Sequence, residues 1–181
     1  MTHPLVVLVG PPGVGKTTVG RRLAEALHVS LRDTDEDIEA DAGSTVADLF
    51  VTMGEAHFRE LERAAVAQAL VEHGGVLALG GGAVTDPDTR QLLTTQRVAF
   101  LDVGLTDAMR RLGMNRSRPL LLGNVRQQWL ALMQERRPLY QEVASITVPT
   151  DGRDPEDVAK DIESFVRSEG NDGASEGGRR E

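Results

Sequence analysis

Residues 5–18 read LVVLVGPPGVGKTT, an apolar, β-favouring run that breaks into a glycine turn and then into a helical pattern. The stretch fits G-x-x-x-x-G-K-[ST] at Gly10, Gly15, Lys16 and Thr17. Glycine lets backbone N–H groups fold around phosphate oxygens with no Cβ in the way, and the helix that follows points its partly positive N-terminus at the same oxygens. Lys16 adds a full charge for the β- and γ-phosphates, and the Thr17 hydroxyl is a ligand for Mg²⁺. The alternative, a chance glycine turn, lacks a reason for the strand before it and the helix after it. The motif specifies a nucleoside triphosphate and leaves the reaction open.

A chain of 181 residues with 40% hydrophobic content fits one domain with a real core. Its 20 Lys and Arg against 28 Asp and Glu leave a net charge of −8, which argues against nucleic acid or an anionic membrane as the main partner. Positive charge must then be used locally. With no cysteine there is no disulfide scaffold or thiolate site, and His3, His28, His57 and His73 have no ligand spacing, so a reducing cytoplasm is expected. The apolar run 5–9 is too short for a signal-peptide core or a membrane span and is expected as the first strand.

Helical spacing of Val19, Leu23, Ala26 and Leu27 predicts a helix over 16–27, followed by a strand over 30–33. That strand ends in DTDEDIE, where an extended chain would put Asp33 and Asp35 on one side, beside the phosphate loop. Residues 46–50 and a longer run past Gly54, with Phe58, Leu61, Ala65 and Leu70, are expected to be helical. A strand over 76–79 runs into Gly80-Gly81-Gly82, a second place where backbone can approach a ligand. Helices over 86–95 and 106–112, with a strand over 98–101 between them, extend an alternation that points to a parallel α/β sheet. Around 113–124 the sequence loses periodicity and carries Arg116 and Arg118, the build of a lid over phosphates. A helix over 125–136 ends before Pro138, a last strand spans 145–148, and a last helix spans 155–166 with Asp154 as cap. The domain is taken as 1–167. The tail 168–181 has no aliphatic residue larger than Ala and is expected to be disordered.

The phosphate loop, Asp33-Thr34-Asp35, the triple glycine, the RPLL at 118–121 and the RRPLY at 136–140 together resemble shikimate kinase. The resemblance covers about residues 5–166 and implies a P-loop NTPase-type parallel five-stranded sheet flanked by helices, like the nucleoside monophosphate kinases, with a mobile lid. It further implies transfer of the γ-phosphoryl group of ATP to the 3-hydroxyl of shikimate, with Mg²⁺ as cofactor. On this likeness Gly13, Val14, Gly15, Lys16, Thr17 and Thr18 hold the ATP phosphates, and Thr17 and Asp33 serve the metal. Asp35 holds ring hydroxyls and is the candidate base. Arg59 and Arg136, rather than Arg137, bind the substrate carboxylate; Gly81, flanked by Gly80 and Gly82, offers an N–H to substrate. Arg118 reaches the ATP phosphates and Arg153 lies beside the adenine. Thr17 stands where Ser is commoner in the family, and the interval from the lid to RRPLY is unusual. ATP and shikimate are the expected partners, and the chain is expected to act as a monomer.

Blander accounts exist for several of these residues. Aspartates are common where strands end. Arg59, with Glu55 at i−4 and Glu62 at i+3, reads in isolation as a solvated ion-pair face, although Glu62 can equally orient the guanidinium. Arg136 and Arg137 suit a helix C-terminus, and the three glycines suit a tight turn. Trp129 and Phe50 read as packing residues, with Phe50 and Phe58 also able to wall an acceptor pocket. The rival enzymes are a gluconate kinase or a nucleoside monophosphate kinase, which should lack the pairing of D-T-D with R-x-P-L-Y. A GTPase-like switch would need N-K-x-D, and the nearest string, Asn115-Arg116-Ser117-Arg118, lacks both the Lys and the Asp.

Overall fold

The computed structural model describes residues 2–114 and 122–172. A strand that is apolar at every position must be covered on both faces. Val6–Val9 (β1) is such a strand, with all four residues buried. Together with Leu31–Asp33 (β2), Val76–Ala78 (β3), Val98–Asp102 (β4) and Ile146–Pro149 (β5) it forms a five-stranded sheet in the order β2-β3-β1-β4-β5. Every pairing is parallel, so all the carboxyl ends share one edge of the sheet, where ligands bind in open sheets of this kind. β1, at the centre, delivers the phosphate loop to the middle of that edge.

The helices are α1 (Lys16–Leu27), α2 (Thr34–Ala42), α3 (Val46–Met53), α4 (Glu55–Glu72), α5 (Pro87–Leu93), α6 (Leu105–Met114), α7 (Leu122–Val143) and α8 (Pro155–Asp172). α8 packs chiefly against α1, and its Val158, Ile162 and Val166 join the main core. A separate apolar cluster of Ile38, Leu49 and Phe58 holds α2, α3 and α4 together beside the sheet. No helix among the described residues is long and apolar enough to cross a membrane.

Three expectations are corrected here. Residues 34–42 are helical, so Asp35 does not continue an extended chain; Asp33 is the N-cap of α2 and its Oδ1 accepts from the Asp35 N–H at 3.0 Å. An Asp at a strand end is a strong cap, and Asp35, Glu36 and Asp37 favour the positive end of the helix. α7 does not stop before Pro138 but carries it internally. Proline costs one intrahelical bond, and Tyr140, wholly buried and stacked on Phe100 at 5.0 Å, holds the following turn in place. α8 continues to Asp172, into the segment 168–181 that was read as a tail. Residues 115–121, which hold most of the expected lid including Arg116 and Arg118, and 173–181 lie outside the described residues.

Ile162 is fully buried where α8 meets the core. Ile162→Ala should lower unfolding free energy by about 2–5 kcal/mol, whereas Val51→Ala, at a position 86% exposed, should stay within about 0.5 kcal/mol. Urea unfolding of both variants checks the pair.

Candidate active site

α1 begins without a side-chain cap, behind Gly15, whose φ of 99° suits glycine. Its first N–H groups therefore lack the usual capping oxygen and form a site for an anion. Lys16 folds back along the loop, its Nζ donating to the carbonyls of Gly10 at 2.8 Å and Pro11 at 3.1 Å. Loss of hydration pushes its pKa down to about 8, against the opposing pull of Asp35 and Asp33. The Thr17 hydroxyl donates to Asp33 Oδ2 at 3.0 Å, so the two residues expected at a metal stand side by side.

These groups open onto a cavity of about 600 Å³. Of the residues singled out in the sequence, Gly13, Gly15, Lys16, Thr17, Thr18, Asp33, Asp35, Arg59, Gly81, Gly82 and Arg136 line it. Gly80 lies just behind the wall: a Cβ there would come within 2.5 Å of Asp35 Oδ1 and 2.7 Å of Glu62 Oε1, so its lack of a side chain lets two carboxylates converge. Burial, followed by the nearby charges of Asp33 and Glu62, pushes the Asp35 carboxyl up to about 6. Asp35 thus feels the charge of Glu62, which adds to the rise, and that of Lys16, which opposes it.

On the far wall, Arg59 pairs with Glu62 and more loosely with Glu55, at 3.4 Å. Its guanidinium carbon sits 5.5 Å from the ring centres of both Phe50 and Phe58, close enough for a cation–π attraction to each. Any Cβ on Gly82 would collide with the same guanidinium. The ion pair is therefore no solvated helix face: Glu62 is only 2% exposed, and burial holds its carboxyl above the usual range despite Arg59. Arg136 also lines the cavity; its buried Nε has no hydrogen-bond acceptor, and no carboxylate pairs with it among the described residues. Arg137 behaves differently, turning to Asp102 at 3.0 Å and the Val103 carbonyl at 3.4 Å.

Val14 and Arg153 line a second cavity of about 250 Å³, which shares Gly15 and Thr18 with the first. The two spaces meet at the phosphate loop. Arg153 is anchored by Asp161 at 2.8 Å. Arg111, which the sequence did not single out, donates to the Val14 carbonyl at 2.7 Å and to Thr150 O and Oγ1 at 2.7 and 3.1 Å. Thr34 was likewise missed: fully buried, it accepts the Gly80 N–H at 3.2 Å and ties the triple glycine to α2. Arg118 lies outside the described residues.

A family model described as shikimate kinase matches residues 12–167. The chain is similar to the shikimate kinase of Streptomyces coelicolor, 56% identical over 88% of this chain and 94% of that one. It is similar to that of Thermobifida fusca at 54% identity, over 88% and 92%. Among solved structures it resembles a shikimate kinase from Acinetobacter baumannii in complex with shikimate, with a TM-score of 0.84, 36% identity, and coverage of 93% of this chain and 95% of that one. A gluconokinase from Sinorhizobium meliloti, at TM-score 0.59 and 17% identity over 92% and 93%, shares the fold.

Removing Arg59 would leave Glu62 buried beside Asp35 without its paired cation, with only the more weakly acting charge of Arg136 to offset it. Arg59→Ala should therefore cost about 3–5 kcal/mol at neutral pH. The Glu62 carboxyl, already raised by burial, would rise further, so its ionisation opposes folding as pH climbs through the folded pKa. The penalty should shrink below the unfolded carboxylate pKa of about 4.3 and should be relieved at pH 7 by a second change, Glu62→Gln. Melting curves of the single and double variants at pH 4 and pH 7 test the sign.

Proposed function

The chain belongs to the shikimate kinase family, and on that premise we propose that it carries the γ-phosphoryl group of ATP to the 3-hydroxyl of shikimate, within the larger cavity. The observation that carries this reading is the order of charge across that cavity. Lys16 and the open end of α1 suit phosphates; Asp35 comes next; beyond it stand Arg59, held by Glu62, and Arg136, which forms no ion pair among the described residues. An acceptor with a carboxylate, ring hydroxyls and an apolar ring face matches the arginines, Asp35 and the Phe50–Phe58 wall in turn. The smaller cavity, between Arg153 and Pro155 on one side and Arg111 on the other, is assigned to the base of ATP.

Phosphoryl transfer asks the protein mainly for positioning and for charge against the equatorial oxygens. Lys16 supplies that charge here, with Arg118 assigned the same role from its place in the RPLL string. Arg59 and Arg136 grip the acceptor carboxylate with planar forks and so aim the hydroxyl. Asp35 accepts the hydroxyl proton; a carboxyl pushed up to about 6 is ionised at neutral pH yet basic enough to take part in the transfer.

Thr17 and Asp33 fit Mg²⁺: they present two hard oxygens 3.0 Å apart, and the remaining positions would fall to phosphate and water. Among the described residues no cluster of three or more His, Asp or Glu could hold a metal without such help. Bound there with ATP, Mg²⁺ would draw negative charge from the β- and γ-phosphates.

A coupled assay offering ATP with shikimate, gluconate, AMP or no acceptor tests the assignment; turnover should appear with shikimate, and preferential use of gluconate or AMP would overturn it. In the same assay Arg136→Ala should cripple shikimate turnover, costing about 2–5 kcal/mol of the interaction, while ATP binding persists. Arg137→Ala should do much less, and an exchange of the two effects would misplace the clamp by one residue.

The two aspartates should separate in a titration of Mg²⁺ against rate. Asp33→Asn should raise the Mg²⁺ requirement and recover part of its rate at high metal. Asp35→Asn should bind Mg-ATP, resist rescue, and lose at least the roughly 10²-fold expected of a missing general base. Metal rescue of Asp35→Asn would remove it from that role.

A further inference from the structure

Tyr140 is the one tyrosine of the chain and is wholly buried. Its ring stacks on Phe100 of β4, and its hydroxyl donates to the Gly81 carbonyl at 2.6 Å. This bond joins α7, the helix that carries Arg136 one turn earlier, to the triple glycine. The far side of Gly81 is also fixed, since a Cβ there would meet Pro12 of the phosphate loop at 2.7 Å. Gly81 is thus held between the acceptor helix and the phosphate loop, and both Gly81 and Pro12 line the cavity while Tyr140 does not.

A trans peptide points its C=O and N–H in opposite directions. With the Gly81 carbonyl committed to Tyr140, the Gly82 N–H of the same peptide is turned away from it. Neither the Gly81 nor the Gly82 N–H finds a protein acceptor among the described residues, although the neighbouring Gly80 and Ala83 N–H groups both do. Burial raises the Tyr140 hydroxyl to about 12, so it stays a donor at any working pH.

We propose that Tyr140 is a positioning residue for the acceptor: its hydroxyl sets the Gly81–Gly82 peptide so that its N–H is presented to shikimate. At the same time it locks α7 in the register that places Arg136. Tyr140 does not line the cavity and acts through the Gly81 backbone and through Arg136, which also interacts with its hydroxyl. The inference rests on the acceptor site assigned above.

Tyr140→Phe keeps the ring on Phe100 and deletes the bond to Gly81 together with the hydroxyl's interaction with Arg136. The shikimate KM should rise about three- to tenfold, the loss expected of one hydrogen bond, with kcat and the ATP KM little changed and the melting temperature lowered by a few degrees at most. An unaltered shikimate KM, or equal rises for both substrates, would make Tyr140 a packing residue only and overturn the proposal. Because no other tyrosine is present, 3-fluorotyrosine incorporated throughout the unmutated chain reports on this position alone. Its ¹⁹F resonance should shift on addition of shikimate and not of ATP alone; a resonance indifferent to shikimate refutes the proposal without any mutation. Arg136→Ala is the control for the underlying site: its normal turnover would unseat the acceptor assignment itself, whereas a crippled Arg136→Ala beside an unaffected Tyr140→Phe removes only the role given to Tyr140.

Discussion

A strand buried on both faces at the centre of a parallel sheet can end in only one place, the carboxyl edge, and β1 ends there in a glycine turn. The rest of the molecule follows from that constraint. The turn leaves the N-terminus of α1 without a side-chain cap, which is costly for a helix end shut away from solvent and useful for one facing phosphate. β2 and β3, neighbours on one side of β1, end at the same edge and bring Asp33 and the triple glycine to the same space.

The cavity wall is a sequence of charges, each tolerable because of its neighbour. Glu62 could not be buried without Arg59, Arg59 could not lie over Gly82 if that residue had a side chain, and Asp35 could not approach Glu62 if Gly80 had one. Glycine here acts less as a hinge than as clearance for large ionised groups. Arg136 alone among the cavity's arginines lacks a carboxylate partner in the described residues, which distinguishes it from Arg137 one position away.

The alternation of strands with helices was legible because it depends on local periodicity, and the phosphate loop because its chemistry is local too. Most of the cavity residues were named only through the resemblance to a known family, and Arg153 lines the smaller, neighbouring cavity. The failures are also physical. Asp33 looks like a turn residue until it is seen capping α2, which turned an expected extended segment into a helix. Pro138 looks like a helix stop until the burial of Tyr140 is known, since packing outweighs one missing hydrogen bond. Arg111 and Thr34 were illegible because their partners, Thr150 and Gly80, lie dozens of residues away, and nothing in a helix-end cation or a lone threonine announces such partners.

Asp33 has both carboxylate oxygens engaged, one by the Asp35 N–H and the other by the Thr17 hydroxyl. A single side chain thereby rivets the first turn of α2 to the first turn of α1, and it is the first turn of α2 that carries Asp35. The helix that follows the phosphate loop and the turn that carries Asp35 are therefore tied through one side chain. Any replacement of Asp33 would loosen the starts of two helices at once.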